Sequence, residues 1–172
     1  MPKLIENVRE NLILEARRQV ESEGYSAMTI RSIAEACSIG TGTFYNYFKS
    51  KEHLVAAYML EDWDRLLSEM EALSSDEPKS FLEQSFGLLK SFVESHSSLF
   101  RDKNAVKDSM GSFTSKHPVL RDQLARVILP VCEHSRAEDR DFLSMFIAES
   151  FLSWAGTGCS FDRLYSVIRY MF

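Results

Sequence analysis

The sequence predicts an all-α protein in two parts. A small N-terminal three-helix domain occupies residues 1–50 and a larger helical domain residues 51–172, with about nine helices in total. Three observations lead there. Apolar residues recur at three- and four-residue spacing, the period of a helix with one buried face, and not in strict alternation. Only seven glycines and four prolines interrupt 172 residues, so long segments lack the residues that break helices. A composition of 45% hydrophobic and 26% charged residues matches a globular chain and argues against disorder.

The elements follow in order. A first helix from about Ile5 to Glu23 carries Val8, Leu12, Ala16 and Val20 on one stripe, and Gly24 stands where a helix C-terminal stop is expected. After the short linker Ser26-Ala27-Met28, Thr29 is a good N-cap for a second helix, Ile30 to Cys37. Cys37-Ser38-Ile39-Gly40 is a break, and a short third helix runs from Thr41 to about Tyr47. Ser50 caps a long fourth helix, from Lys51 through Trp63 and Leu67 to about Leu73. Ser74-Ser75-Asp76-Glu77-Pro78 is the clearest turn in the chain. Beyond it helices are expected at about 79–95, 97–111, 118–134, 137–156 and 161–172.

Charge and cysteine usage narrow the function. The net charge of −5 argues against a nucleic-acid partner, but the imbalance is local: residues 1–52 hold seven Lys/Arg and seven Asp/Glu, against thirteen and eighteen in residues 53–172. The first part is free to meet an anion. Cys37, Cys132 and Cys159 are widely spaced, without the pairs or histidine spacing of a zinc site. Reduced thiols are the default. Apolar runs fall far short of the ~20 residues that cross a bilayer, and the acidic start lacks a signal-peptide pattern, so a cytoplasmic location is expected. Glu133-His134, Asp139 and Asp141, with His117 further back, read as a solvated loop and not a metal site, because no i, i+4 histidine pair is present. No nucleophile–base set, paired-carboxylate site or phosphate-binding glycine loop stands out, so neither an enzyme nor a cofactor is expected.

Chemistry concentrates in residues 29–54, TIRSIAEACSIGTGTFYNYFKSKEHL. Two short helices joined by a tight turn, with Ile30, Ile33, Ala34, Ile39, Phe44 and Phe48 facing inward, have the spacing of a helix-turn-helix. Ala34 is small because the next helix crosses close to it. The outward set, Thr41, Thr43, Tyr45, Asn46 and Tyr47, consists of neutral hydrogen-bonders suited to base edges and phosphates. Gly40 and Gly42 leave the helix start bare, open to close approach by a phosphate.

This stretch resembles the helix-turn-helix of TetR-type transcriptional repressors, and so does the preceding ILEARRQVESEGYSAMTI; together they cover about the first third of the chain. The specific part is T-x-x-x-I-A followed by T-F-Y-x-Y-F-x-S-K-E-x-L. The resemblance implies DNA binding through Thr29 and Arg31 at the start of the second helix, through Thr41, Gly42, Thr43 and Asn46 at bases or nearby phosphates, through the phenols of Tyr45 and Tyr47, and through Lys51. The corner departs from the family's usual Ala-Gly-Val-Ser: it reads Cys37-Ser38-Ile39-Gly40, so the turn glycine and the serine cap are displaced.

The resemblance also implies a homodimer on a double-stranded, palindromic operator, released by a small apolar effector. Trp63, Phe86, Phe92, Met110 and Phe113 are the candidates to line an effector cavity, and Phe142, Met145, Phe146, Ile168 and Met171 lie in the last two helices, where such proteins dimerise. The alternative is a helical sensor or interaction module that responds to metal or thiol oxidation without specific operator binding.

Overall fold

The structure, a computed structural model, describes residues 7–105 and 116–172. Among these residues it is all-helical, with ten α-helices and a closing 3-10 turn. They are α1 (Val8–Glu23), α2 (Ile30–Ala36), α3 (Thr41–Tyr45), α4 (Lys51–Glu71), α5 (Pro78–Ser95), α6 (Ser97–Arg101), α7 (Lys103–Ala105), α8 (His117–Cys132), α9 (Arg140–Trp154) and α10 (Phe161–Ile168), then the turn Arg169–Met171. No helix among the described residues is long and apolar enough to cross a membrane. Ile5, Glu6, Met110 and Phe113 lie outside the described residues, as does the part of the expected 97–111 helix beyond Ala105.

Local signals explain most boundaries. Gly24 ends α1 with φ 85, a left-handed value that a Cβ would strain. Thr29 caps α2 through a capping box: its side chain accepts from Ser32 N–H while the Ser32 hydroxyl reaches back to Thr29 N–H. Ser50 Oγ accepts from His53 N–H at 3.2 Å and starts α4. Asp139 and Ser160 cap α9 and α10 in the same way. The expected single helix over 97–111 is instead broken at Asp102. There the backbone turns extended (ψ 117), and the carboxylate caps α7 by accepting from Asn104 and Ala105 N–H at 2.9 and 3.1 Å.

The chain divides into two compact units, Met1–Glu61 with His96–Ser115, and Asp62–Ser95 with Lys116–Phe172. These differ from the expected parting at residue 50, because Leu54, Val55, Tyr58 and Met59 of α4 pack into the same core as α1, α2 and α3. The first unit's core holds the whole α1 stripe, Val8, Leu12, Ala16 and Val20, with Tyr25, Met28, Ile33, Phe44 and Phe48, and it takes in Leu99 and Ala105 from α6 and α7. Each large side chain buried there stabilises the fold by roughly 1.5–3 kcal/mol.

The second unit joins α8 to α9 along their lengths, with α5 against α8, α9 and α10. Its core is aromatic. The ring of Phe86 meets those of Phe151 and Phe161 at 5.0 and 6.3 Å between centroids. Trp63 stacks edge-on to Phe92 at 5.6 Å and donates its indole N–H to Gln123 Oε1 at 2.9 Å. Ser85 Oγ is buried in this unit without a hydrogen-bond partner.

Candidate nucleic-acid interface

The turn between α2 and α3 is closed by the backbone. Ser38 N–H donates to Glu35 O at 3.0 Å and Ile39 N–H to Ala34 O at 2.9 Å. Ser38 itself adopts φ 56, the left-handed conformation for which glycine is the usual residue. That is the position at which the family pattern has its turn glycine, so the backbone has kept the turn and the serine bears the strain. Gly40 precedes α3 with φ −77 and ψ 153 and no side-chain cap. A Cβ added at Gly40 or Gly42 would meet nothing within 4 Å, so neither glycine is required by this chain's own packing.

The short α3 has two unlike faces. Phe44 is fully buried and Phe48 nearly so, their rings 6.0 Å apart. On the other side Tyr45 and Tyr47 are 56% and 44% exposed, and Thr41, Gly42 and Asn46 are exposed with them, while Thr43 is half-buried. The Tyr45 ring rests edge-on against Phe44 at 5.6 Å between centroids, but phenols this open point their hydroxyls where a partner can meet them from outside.

The charged and capping candidates are already engaged. Thr29 Oγ1 accepts from Ser32 N–H at 3.0 Å. Arg31 Nε donates to Glu35 Oε1 at 2.8 Å across one turn of α2, an exposed pair that a phosphate can displace at small cost. Lys51 Nζ donates to the carbonyls of Tyr25 and Met28, both at 3.2 Å, and sits 4.2 Å from the centroid of the Tyr25 ring. Its first role is therefore internal, tying the start of α4 to the linker before α2, and at most one of its three protons faces outward. Beside it the Tyr25 hydroxyl donates to Glu52 at 3.1 Å. Burial pushes the Glu52 carboxyl up, but hydrogen bonds from Ser50, its own backbone and Tyr25, with the Lys51 charge, outweigh that and hold it below the usual range.

Two of the three thiols, Cys37 and Cys132, are poorly placed for redox chemistry. Burial, with Glu133 nearby, pushes Cys132 up to about 11, and burial then Glu15 push Cys37 up as well, so little reactive thiolate is present at neutral pH. Among the described residues no group of three His, Cys, Asp or Glu could hold a metal ion.

In the second unit the sequence candidates separate. Trp63, Phe86 and Phe92 are all buried. Of the five dimer candidates, Phe142, Met145 and Phe146 are 66%, 37% and 39% exposed on one stripe of α9, whereas Ile168 is buried within the subunit. Met171 is half-buried, its carbonyl accepting from Arg136 N–H at 2.7 Å. Sequence reading missed Trp154, Val167 and Tyr170, which are 46%, 59% and 73% exposed. Trp154 continues the Phe142–Phe146 stripe at helical spacing, a signal that marks one face of α9 but not which face is left uncovered. Between α9 and α10 runs a groove of about 350 Å³ lined by Phe146, Trp154, Cys159, Arg163, Leu164 and Val167 among others.

α2 and α3 thus form a helix-turn-helix with a hidden aromatic face and a bare polar one, followed by further helices. Residues 12–58 match the family model of bacterial regulatory proteins, tetR family. The regulator UidR of Escherichia coli K12 is 40% identical over 57 residues, 33% of this chain and 29% of UidR. The repressor KstR of Rhodococcus jostii is 36% identical over 59 residues, 34% of this chain and 28% of KstR. The matched stretch thus spans less than a third of these curated relatives. Across nearly the whole length the fold is that of Salmonella enterica GusR, with a TM-score of 0.68 at 18% identity, covering 98% of this chain and 96% of GusR.

Proposed function

We propose that the chain is a homodimeric DNA-binding transcriptional regulator, a repressor that a small apolar effector releases from its operator. The observation that carries this reading is the division of α3: Phe44 and Phe48 are withdrawn into the core while Thr41, Gly42, Tyr45, Asn46 and Tyr47 are left in solvent. Residues 1–50 supply the DNA contacts in this reading, Thr29, Arg31 and Thr43 adding to the exposed set and Lys51 following at the start of α4, and residues 51–172 otherwise supply effector binding and dimerisation. The family match over residues 12–58 supports it.

One short recognition helix makes too few contacts for useful affinity, so a twofold pair on a palindromic operator is the natural arrangement. A second copy would cover the face made by Phe142, Met145, Phe146 and Trp154, with Val167 from the same groove. Large aromatic side chains this open on one patch are the residues that dominate protein interfaces. Trp63, Phe86 and Phe92 remain the described aromatic residues from which an effector cavity would be built. The thiol-sensing alternative draws no support from Cys132 or Cys37, whose thiols are held protonated.

The test is operator binding by the full chain, measured by gel shift on genomic fragments at several salt concentrations. Tyr47→Ala is the clean variant, because the exposed phenol supports nothing inside the protein. It is expected to weaken specific binding roughly five- to tenfold with an unchanged melting temperature. Specific binding equal to wild type would remove the recognition-face assignment, and no specific fragment for wild type would remove the regulator itself.

A further inference from the structure

The linker that sets the start of α2 is held from outside the helix-turn-helix. Ser26 N–H donates to Asp102 Oδ2 at 3.1 Å, and the Ser26 hydroxyl lies 3.0 and 2.8 Å from the two carboxylate oxygens. Asn104 Nδ2 adds a third strand, donating to Ser26 Oγ at 3.0 Å. We infer that Asp102 is a positioning residue of the DNA-binding head: its carboxylate, 76 positions beyond Ser26, fixes the linker from which α2 begins and thereby sets operator affinity. This rests on the operator-binding reading above.

The linker has two clamps of different character. From α4, Lys51 Nζ grips the carbonyls of Tyr25 and Met28. From the α6–α7 corner, Asp102 and Asn104 grip the N–H and hydroxyl of Ser26, between those two carbonyls in sequence. Thr29, which caps α2 and is a phosphate candidate, comes three residues after Ser26. Both anchors of the linker, Tyr25 and Met28, are fully buried in the core. Ser26 is exposed and Asp102 only half-buried, so loss of the clamp loosens the linker without opening the core. DNA binding must then order it again, and that cost appears as weaker affinity.

Asp102 has two duties that chemistry can separate. Oδ1 accepts from Asn104 and Ala105 N–H and starts α7, while Oδ2 faces Ser26 N–H. Asp102→Asn can keep the oxygen on α7, but the amide nitrogen that replaces Oδ2 has no lone pair to offer Ser26 N–H. Ser26→Ala deletes the hydroxyl, and Ser26→Thr restores it.

The experiment is fluorescence anisotropy with the full chain and a labelled operator fragment that wild type binds, alongside melting curves and amide exchange of residues 26–29. Asp102→Asn and Ser26→Ala are expected to bind roughly three- to tenfold more weakly, with faster exchange over residues 26–29 and helical content unchanged. Ser26→Thr is expected to bind as wild type. Equal affinity for all variants overturns the inference, as does a Ser26→Thr defect as large as that of Ser26→Ala, which would mean packing and not the hydroxyl. Loss of helical content in both Asp102→Asn and Ser26→Ala overturns it in favour of a purely structural clamp. A wild type that binds no fragment fails the functional reading first and this inference with it.

Discussion

The two units solve different problems with the same element. In the first, individual residue identities are pinned by geometry: Ala34 where a neighbouring helix passes, Phe44 and Phe48 behind a five-residue helix, Thr29 in a capping box, Lys51 on two carbonyls. In the second, helices α8 and α9 need only apolar volume at helical spacing along a shared seam. A small head whose helices are too short to be stable alone must specify each contact, whereas long helices tolerate exchange of one apolar side chain for another of similar size.

The largest expected effect falls on the pinned side. Phe44→Ala empties the centre of the first unit's core, at a cost of about 3–5 kcal/mol. Urea unfolding followed by circular dichroism should show the first unit melting early while Trp63 fluorescence reports the second unit still folded. Simultaneous loss of both signals would break the contrast between the units.

Next comes the uncovered face of the second unit. Phe146→Glu places a charge in the centre of the proposed pair interface and should weaken self-association by about thirtyfold or more, an effect of about 2 kcal/mol or above. Sedimentation at several concentrations measures it, and a subunit fold unchanged by circular dichroism is part of the expectation. An unaltered dimer would place the interface elsewhere.

Acid should then act on the first unit through its linker clamps. Burial raises the Asp102 carboxyl, but hydrogen bonds from Ala105, Ser26 and Asn104 outweigh it and hold the pKa below the usual range; Glu52 is depressed likewise. A carboxyl depressed in the folded state contributes stability that is complete above its unfolded pKa of about 4 and is lost as pH falls through the folded value. The first unit's urea midpoint should therefore drop below about pH 4, and Asp102→Asn should flatten that drop. A drop of the same size in the variant would assign it to other carboxylates.

The smallest effect sharpens the turn. Ser38→Gly relieves a left-handed serine but adds freedom to the unfolded chain, for a net gain of about 0.5–1 kcal/mol. A destabilised variant would mean that Ser38 makes a contact worth more than its strain.

Much of this was legible in the sequence because it is local. The stripe Val8, Leu12, Ala16 and Val20, the stop at Gly24, the caps at Thr29 and Ser50 and the two faces of α3 each depend on residues a few positions apart, and the chain forms them as read. The break at Asp102 was not legible, because a helix-compatible sequence was overruled by a carboxylate that bonds Ser26 far back in the chain. The tie from Lys51 to the Tyr25 and Met28 carbonyls was not legible either, because those groups are 26 and 23 positions back in the chain. That Ile168 is buried while Trp154 is left open was not legible for the same reason: periodicity gives the stripes of a helix but not the neighbour that will cover each one.

The sequence by itself determined the helical class, the helix-turn-helix spacing of the head and which α3 side chains turn inward, since those follow from spacing within one or two turns. Only the tertiary structure decided where α4 divides between two cores, that the α6–α7 corner grips the linker before α2, and which aromatic residues of α9 and α10 stay in solvent. Those features depend on which surfaces meet, and burial is a property of the pair.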